Sequence, residues 1–286
     1  MKSKSQIRFF GTPDFAVPTL TALINADFCD VKLVVTQPDK PVGRHHSKLV
    51  PSAVKKAAEE MDIQVDTRPP PCPLLDTGGG VSADLGVLVA YGEIIPKEVI
   101  GSFPLGILNL HPSLLPKYRG SSPIQAPILN QDNETGVTIM KLDDEMDHGP
   151  IVAQEIVKLD KTETAGELHD KLAQIGADLF IKILPDYIAG KIEPKEQDHS
   201  KASYTEKLTK EGGKIDWSET AHSSEPFIRA MNPWPGAWTT YKDKKLIIWS
   251  VSKDGTPIEV QLEGKKRMPY SEFLKGHPNF NVSDFS

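Results

Sequence analysis

The stretch GILNLHPSLLPKYRG at residues 106–120 carries two side chains suited to acyl transfer. Asn109 and His111 lie two residues apart at the end of an apolar segment typical of a buried strand. Side chains two apart on a strand share one face. An amide can donate a hydrogen bond to a developing oxyanion, and an imidazole can transfer a proton near neutral pH. The spacing predicts a small acyl-transfer site, with a purely structural histidine as the alternative.

A third group is needed to set the tautomer and charge of the imidazole. The acidic run LDDEMDHG at 142–149 follows the strand-like segment GVTIMKL, so its turn could return a carboxylate to the same edge. A solvated turn and a metal site with carboxylate ligands are the alternatives. Four residues qualify by chemistry, and the spacing does not choose among them: Asp143, Asp144, Glu145 and Asp147.

The sequence gives little support for a nucleophilic serine, a dinucleotide site or a metal site. The chain has no GxSxG motif, and Ser113 is not set in a strand–Ser–helix elbow. The turn GTPDF at 11–15 is not a dinucleotide-binding GxGxxG. Cys29 and Cys72 form no CxxC pair and have no zinc spacing, so we expect structural cysteines, a reducing cytoplasm and no metal.

The composition is that of a globular chain, with 38% hydrophobic and 25% charged residues among 286. No apolar run is long enough for a membrane span, and the N-terminal segment does not resemble a signal peptide. A formal net charge of −6 argues weakly against a nucleic-acid partner. Basic residues are nevertheless concentrated at 37–56, 242–245 and 264–267, which favours local anion-binding faces.

Strand-like and helix-like segments alternate, which predicts an α/β fold with a doubly wound, mostly parallel sheet. Helices are expected at 15–26, 52–61 and 164–188, with Ser52 and Thr164 as N-caps. An antiparallel pair of strands at 136–142 and 150–159 should join the sheet. The predicted strands of the parallel part are 7–10, 31–36, 85–90 and 106–111.

Two stretches interrupt this alternation. Residues 67–80 contain four Pro and three consecutive Gly, which predicts a surface loop. Residues 189–208 are polar and are interpreted as an interdomain linker. Beyond it we expect a helix near 218–231 and strands around 236–250 and 256–262.

At this point the residues resemble a known family, the methionyl-tRNA formyltransferases, over nearly the whole chain. NLHPSLLP with the later DHG resembles folate-dependent formyltransferases as a class, whereas QPDKPVGR and EGKKRM…FLKGHP resemble the tRNA-directed branch. The other matching segments are RFFGTPDFAVPTL, LVPSAVKKAA, VLVAYGEIIP, KIDWSETA and IRAMNPWPGAW.

The resemblance implies that the formyl group of 10-formyltetrahydrofolate passes to the α-amino group of methionine on initiator tRNA, releasing tetrahydrofolate. It assigns catalysis to Asn109, His111 and Asp147, and Asp147 is thereby selected from the acidic run. It places the folate along the sheet edge, with a pterin suited to main-chain partners. The implied folate-binding residues are Ala90, Tyr91, Gly92, Ile94, Ile95, Ser113 and Asp144, and those for tRNA are Lys40, Arg44 and Lys48.

By resemblance we also expect a Rossmann-like formyltransferase domain at 1–189, a linker at 190–207 and a shortened OB-like, tRNA-binding domain at 208–286. A monomer is expected. The alternatives are transfer to a sugar-nucleotide amine, which would use the same trio, folate-dependent hydrolysis, and a binding module with decayed catalysis.

Overall fold

The computed structural model describes residues 4–42, 48–68, 83–217, 221–278 and 280. The predicted loop at 67–80 therefore lies mostly outside the described residues. The strands are β1 Ser5–Gly11, β2 Cys29–Val35, β3 Lys40–Val42, β4 Lys48–Val50, β5 Val65–Asp66, β6 Leu85–Val89, β7 Ile107–His111, β8 Arg119–Gly120, β9 Glu134–Lys141, β10 Ile151–Lys158, β11 Tyr204–Thr205, β12 Ala237–Tyr241, β13 Lys244–Val251, β14 Pro257–Leu262 and β15 Met268–Pro269. The helices are α1 Val17–Ile24, α2 Ala53–Glu60, α3 Lys97–Ile100, α4 Gln125–Leu129, α5 Ala165–Ile188, α6 Ala221–Ala230 and α7 Tyr270–Gly276.

The largest sheet among the described residues has the order β10-β9-β7-β6-β1-β2-β5. The five strands from β5 to β7 run parallel to their neighbours, and β9 is antiparallel to β7. This confirms the predicted doubly wound, mostly parallel sheet joined by an antiparallel strand. The chain leaves β1 toward β2 on one side and returns to β6 on the other, so the strand order reverses between β1 and β6. Ligands of open α/β sheets bind at the carboxyl ends of strands near such a reversal.

Two helix starts behave as their sequences predict. The Ser52 hydroxyl accepts a hydrogen bond from the Lys55 backbone N–H at 3.0 Å and caps α2. Thr164 and Glu167 form a reciprocal capping box: the Glu167 N–H donates to the Thr164 hydroxyl, and the Glu167 carboxylate accepts from the Thr164 N–H at 2.8 Å. By contrast, the predicted helix at 15–26 is a short 3₁₀ turn followed by α1.

The chain divides into two compact units. Unit 1 comprises residues 1–119, 136–157 and 170–204, and unit 2 comprises residues 120–135, 158–169 and 205–286. In unit 1, aliphatic and aromatic side chains pack around Phe10, Tyr91 and Phe103, with Phe10 edge-on to both other rings. Unit 2 contains an antiparallel sheet in the order β12-β13-β14-β15, as expected for a small β-rich domain. No helix in the described part of the chain is both long and apolar enough to cross a membrane.

Candidate active site

Strand β7 brings Asn109 and His111 to the carboxyl edge of the sheet in unit 1. Neighbouring strands hold it on both sides: Asn109 pairs with Leu88 of β6 and with Met140 of β9. Asn109 is 6% exposed and His111 is 5% exposed. A strand fixed on both edges cannot shift without breaking its ladders. The two polar side chains therefore have a rigid support inside a buried environment.

The hydrogen bonds of the His111 ring define its tautomer. Its Nε2 lies 2.9 Å from the backbone carbonyl of Tyr118. A carbonyl can only accept, so Nε2 carries the hydrogen and donates it. Nδ1 lies 3.5 Å from Oδ1 of Asp147, which is ion-pair distance but longer than a normal hydrogen bond. Nδ1 is thus the nitrogen that can gain or lose a proton, and it faces the Asp147 carboxylate.

The Asn109 amide has a different environment. Among the residues that the structure describes, none forms a hydrogen bond with this side chain, although it is almost completely buried. The amide atoms of Asn109 are not among the fully enclosed side-chain atoms that lack a partner, so they keep access to solvent and to a ligand. The Asn109 N–H groups are available to an oxygen on which negative charge develops.

The acidic run forms the turn between β9 and β10, and its three Asp carboxylates have different partners. Asp143 Oδ2 is 2.7 Å from Nδ1 of His148, and Asp144 Oδ2 accepts from Lys97 Nζ at 2.9 Å. Asp147 is the member of the run that lies against His111. The structure places Asp147 against His111, with Asn109 two residues before His111 on β7, whereas Asp144 contacts Lys97 of α3.

Gly149 shapes this turn. A Cβ at this position would lie 1.9 Å from the carbonyl oxygen of Lys141, which is impossible without moving the backbone. Two residues earlier, Asp147 has φ of +50°, a left-handed conformation that Asp tolerates better than most residues. The Asp147 carboxylate reaches the edge of β7 because the backbone makes this sharp turn.

The loop after β7 is held by polar contacts. The Ser113 hydroxyl donates to the Lys117 carbonyl at 2.6 Å, and the Ser113 carbonyl accepts from the Thr138 hydroxyl at 2.7 Å. Ser113 is fully buried. These bonds position Tyr118, whose carbonyl accepts the hydrogen bond from Nε2–H of His111. In this structure Ser113 supports the loop, and contact with folate stays a prediction.

The predicted folate segment follows β6, beside the reversal of strand order. Ala90 has φ of +47° and is exposed, whereas the Tyr91 ring packs inside the core and its carbonyl accepts from the Thr12 hydroxyl at 2.8 Å. Gly92 has φ of +83°, and a Cβ there would lie 2.8 Å from Gln37 Nε2. The backbone of this segment, and not the Tyr91 ring, faces the edge.

The side chains of Ile94 and Ile95, further along the chain, lie in different environments. Ile94 is 89% exposed, whereas Ile95 packs in the core with Tyr91. The Lys97–Asp144 ion pair lies in the same unit and is solvent-accessible. The hydrogen bond from Lys97 holds the pKa of Asp144 below its ordinary value, and the same contact raises the pKa of Lys97. The predicted folate residues thus include side chains on the surface and side chains in the core.

The predicted tRNA-binding residues are associated with a small hairpin. Strands β3 and β4 are antiparallel, with Lys40 opposite Val50 and Lys48 opposite Val42. Lys40 and Lys48 are both exposed. Arg44 lies between the two strands, outside the described residues. The structure presents the two lysines to solvent and leaves the Arg44 assignment as a prediction.

Sequence reasoning missed several supporting residues: Thr12, Gln37, Tyr118, Arg119 and Gln197. Tyr118 and Arg119 act partly through backbone groups, which no residue type encodes. Gln197 lies in the polar run interpreted as a linker, yet it is buried beside the Asp147 turn. A single Gln within a charged run carries no sequence signal for such a role.

The sequence matches a known protein family over most of its length. Residues 5–184 match the formyl transferase family model, and residues 207–257 match the model of the formyl transferase C-terminal domain. The chain belongs to the formyl transferase family. A formyl transferase is a formyl-transferring enzyme, and the buried amide and imidazole at the end of β7 are suited to that chemistry.

Two relatives extend the match to almost the whole chain. The methionyl-tRNA formyltransferase of Chloroflexus aurantiacus is 44% identical over 279 residues, covering 96% of this chain and 87% of the relative. That of Solibacter usitatus is 40% identical and covers 94% of each chain. Among solved structures, the N-formyltransferase from Helicobacter canadensis in complex with folinic acid and dTDP-3-aminofucose has a TM-score of 0.63 at 21% identity, covering 93% of this chain and 100% of that one. This last likeness concerns the fold.

Proposed function

We propose that this formyl transferase uses 10-formyltetrahydrofolate to formylate the α-amino group of methionyl initiator tRNA for translation initiation. The observation that carries the proposal is the buried His111–Asp147 pair beside the unbonded Asn109 amide. The choice of acceptor is supported by the relatives at 40–44% identity, which are methionyl-tRNA formyltransferases.

The residues present account for each requirement of the transfer. The donor supplies an activated formyl group, and the acceptor supplies its own amine as the nucleophile. This amine makes an activated Ser or Cys unnecessary. As the new C–N bond forms, Asn109 and His111 stabilise the negative charge on the formyl oxygen. The bond from the formyl carbon to the folate nitrogen then breaks, and the proton lost by the amine is delivered to that nitrogen.

His111 takes part in this proton movement through Nδ1, since Nε2 is engaged with the Tyr118 carbonyl. Asp147 holds the charge state of the ring from 3.5 Å. We propose that the folate lies along the edge formed by the main chain of residues 90–95, with Asp144 and Ser113 contributing from the neighbouring segments. No metal is part of this proposal.

We propose that the basic hairpin contacts the tRNA. Lys40 and Lys48 are exposed cations, and with Arg44 they would provide phosphate contacts and salt-dependent attraction. A local basic face also reconciles an RNA partner with the net charge of −6. The proposed division is a catalytic domain at 1–189, a linker at 190–207 and a shortened OB-like tRNA-binding domain at 208–286, in a cytoplasmic monomer. The two family matches, over 5–184 and 207–257, support this division.

The acceptor is tested by competition. Purified protein is supplied with labelled 10-formyltetrahydrofolate and with either methionyl initiator tRNA or an aminated sugar nucleotide. We expect label on the methionyl-tRNA alone, and an apparent affinity for it that falls steeply as salt rises. Label on the sugar amine alone would refute the tRNA assignment. Release of formate without an acceptor would indicate a hydrolase.

The hairpin is tested by the substitution Arg44→Ala, with Lys182→Ala on the exposed surface of α5 as a charge-matched control. If Arg44 contacts phosphate, its loss should weaken tRNA use and reduce the slope of log affinity against log salt by about 1. The folate KM should not change. A weaker folate affinity with normal tRNA use would show that the hairpin is wrongly assigned.

A further inference from the structure

Gln197 is a buried side chain beside the candidate catalytic pair, within unit 1. It is 5% exposed, although the charged residues around it in the sequence are mostly exposed. Its Nε2 lies 2.9 Å from the carbonyl oxygen of Asp147 and 2.8 Å from that of Gly149. Both amide hydrogens are therefore directed at the turn that carries the Asp147 carboxylate.

Arg119 holds the other end of this amide. Its Nη2 donates to the Gln197 Oε1 at 2.7 Å and lies 2.9 Å from Nδ1 of His199. A guanidinium can only donate and the two turn carbonyls can only accept, so the amide of Gln197 has one possible orientation. Arg119 is itself buried. The Gln197 side chain is consequently fixed at both ends.

Arg119 is also connected to His111 through the backbone of the loop. Arg119 directly follows Tyr118, whose carbonyl accepts the hydrogen on Nε2 of His111. The Tyr118 backbone N–H in turn donates to the Ser203 hydroxyl at 2.9 Å. The loop that orients His111 and the turn that carries Asp147 are thus joined through the side chains of Arg119 and Gln197.

We propose that Gln197 is a positioning residue for formyl transfer, which sets the Asp147 carboxylate against His111 by clamping the backbone of the turn, with Arg119 tying the clamp to the His111 loop. This inference rests on the proposed function and extends it to a residue outside the predicted site. Asp147 has a positive φ, which is less favourable than an ordinary backbone conformation even for Asp and is supported by surrounding contacts. The two bonds from Gln197 are such contacts.

The first test is steady-state kinetics of Gln197→Leu, with Gln174→Leu on the exposed face of α5 as the matched control. We expect kcat to fall by about 100-fold, because a misplacement of about 1 Å is enough for such a loss. The KM for 10-formyltetrahydrofolate should stay within about twofold, since the folate segment is held by other residues. A kcat within about threefold of the parent enzyme would overturn the proposal.

Dependence on Asp147 separates positioning from general support of the fold. In an Asp147→Ala background, measured by single-turnover transfer at high enzyme concentration, Gln197→Leu should have almost no further effect on the rate, because residues that act as a unit are not additive. An equal fold-loss in both backgrounds would contradict action through Asp147. If the Leu variant fails to fold, Gln197→Glu serves instead, since it keeps the shape and the acceptor for Arg119 while removing amide donors.

A readout independent of activity is the ¹⁵N NMR signal of the His111 ring at one fixed pH, assigned with His111→Ala. Gln197→Leu and Asp147→Ala should each change the chemical shift of Nδ1, which faces the Asp147 carboxylate, whereas Gln174→Leu should not. An unchanged Nδ1 signal in Gln197→Leu would refute the positioning role. Inactive parent enzyme with a Gln197-dependent Nδ1 signal would instead refute the proposed function and leave the positioning role in place.

Discussion

The carboxyl edge of the unit 1 sheet has two parts that are built differently. At the end of β7, the His111 ring is buried and anchored by a 2.9 Å bond, and the Asp147 turn is clamped by Gln197. After β6, residues 90–94 are mostly exposed; the Thr12 hydroxyl donates to the Tyr91 carbonyl at 2.8 Å, and the Gln37 amide contacts Gly92 and Glu93 at 3.3 Å. One part is enclosed, and the other is largely open to solvent.

The difference fits two separate tasks. Groups that act on reacting atoms must be held near one geometry, which requires side chains locked by packing and by supporting hydrogen bonds. A surface that recognises a flat heterocycle through main-chain groups can tolerate small adjustments. We therefore expect substitutions at the β7 end to lower kcat, and substitutions after β6 to change mainly the KM for folate.

The largest effect is expected from Asn109→Ala and His111→Ala. Each removes a group that stabilises the formyl oxygen, so kcat should fall by about 10²–10³-fold while the protein stays folded. Kinetics combined with circular dichroism would check both points. His169→Ala on α5 is the control. Near-normal turnover in both variants would remove the proposed mechanism.

Gly149→Ala tests whether the turn geometry is needed. The added Cβ would meet the Lys141 carbonyl at 1.9 Å, so the turn must move and carry Asp147 with it. We expect a lower melting temperature and a kcat reduced by about 100-fold. Gly276→Ala, where a Cβ meets nothing within 4 Å, is the control. Parent-like melting and turnover would show that the turn is more adaptable than the contact implies.

A smaller effect is expected from Asp144→Asn in the open part. Its ion pair with Lys97 is exposed, so the folate KM should rise by at most about fivefold and kcat should not change. The Lys97 hydrogen bond lowers the pKa of Asp144, which keeps the carboxylate charged well below neutrality. The contribution of Asp144 should therefore persist from pH 8 to about pH 5 and be lost only in stronger acid.

Glu145→Gln is the matched control for this substitution, since it removes a neighbouring exposed carboxylate. If Asp144→Asn lowered kcat as strongly as the substitutions at the β7 end, the division between the two parts would be wrong.

A prediction outside the comparison concerns Cys29, which lies in β2 away from both parts of the edge. Burial raises the pKa of its thiol to about 11, so the nucleophilic thiolate is scarce at pH 8. Alkylation by iodoacetamide, followed by mass spectrometry, should be at least about 100-fold slower in the native protein than in urea. Rapid labelling of native protein would contradict a structural role for this thiol.

Local sequence signals predicted the elements well where the cause is local. Ser52 and Thr164 cap their helices as their types and spacing require, and apolar runs became the buried strands. The predicted strand region at 236–250 is in fact two strands, β12 and β13, joined by Lys242 and Asp243 at positive φ. Hairpin turns of this kind usually contain Gly or Asn. The sequence Lys242-Asp243 has neither, so the turn was not predicted.

The site was predictable only in part. Period-two spacing placed Asn109 and His111 on one face of β7, but choosing Asp147 among four acidic residues needed the family resemblance. The choice depends on where the turn directs each carboxylate, which is decided by the close approach of Gly149 to Lys141. Gln197 was missed because its role arises from contact with residues about fifty positions away in the chain.

The most direct test of the account is single-turnover formyl transfer to methionyl initiator tRNA by the parent enzyme and by Asp147→Asn. This change keeps the size of the side chain and the Asp147 carbonyl bonded to Gln197, while removing the charge that faces His111. We expect rapid transfer by the parent and a loss of at least about 100-fold in the variant, with unchanged melting temperature and folate KM. Transfer by Asp147→Asn within about threefold of the parent rate would show that the His111–Asp147 pair does not carry the reaction.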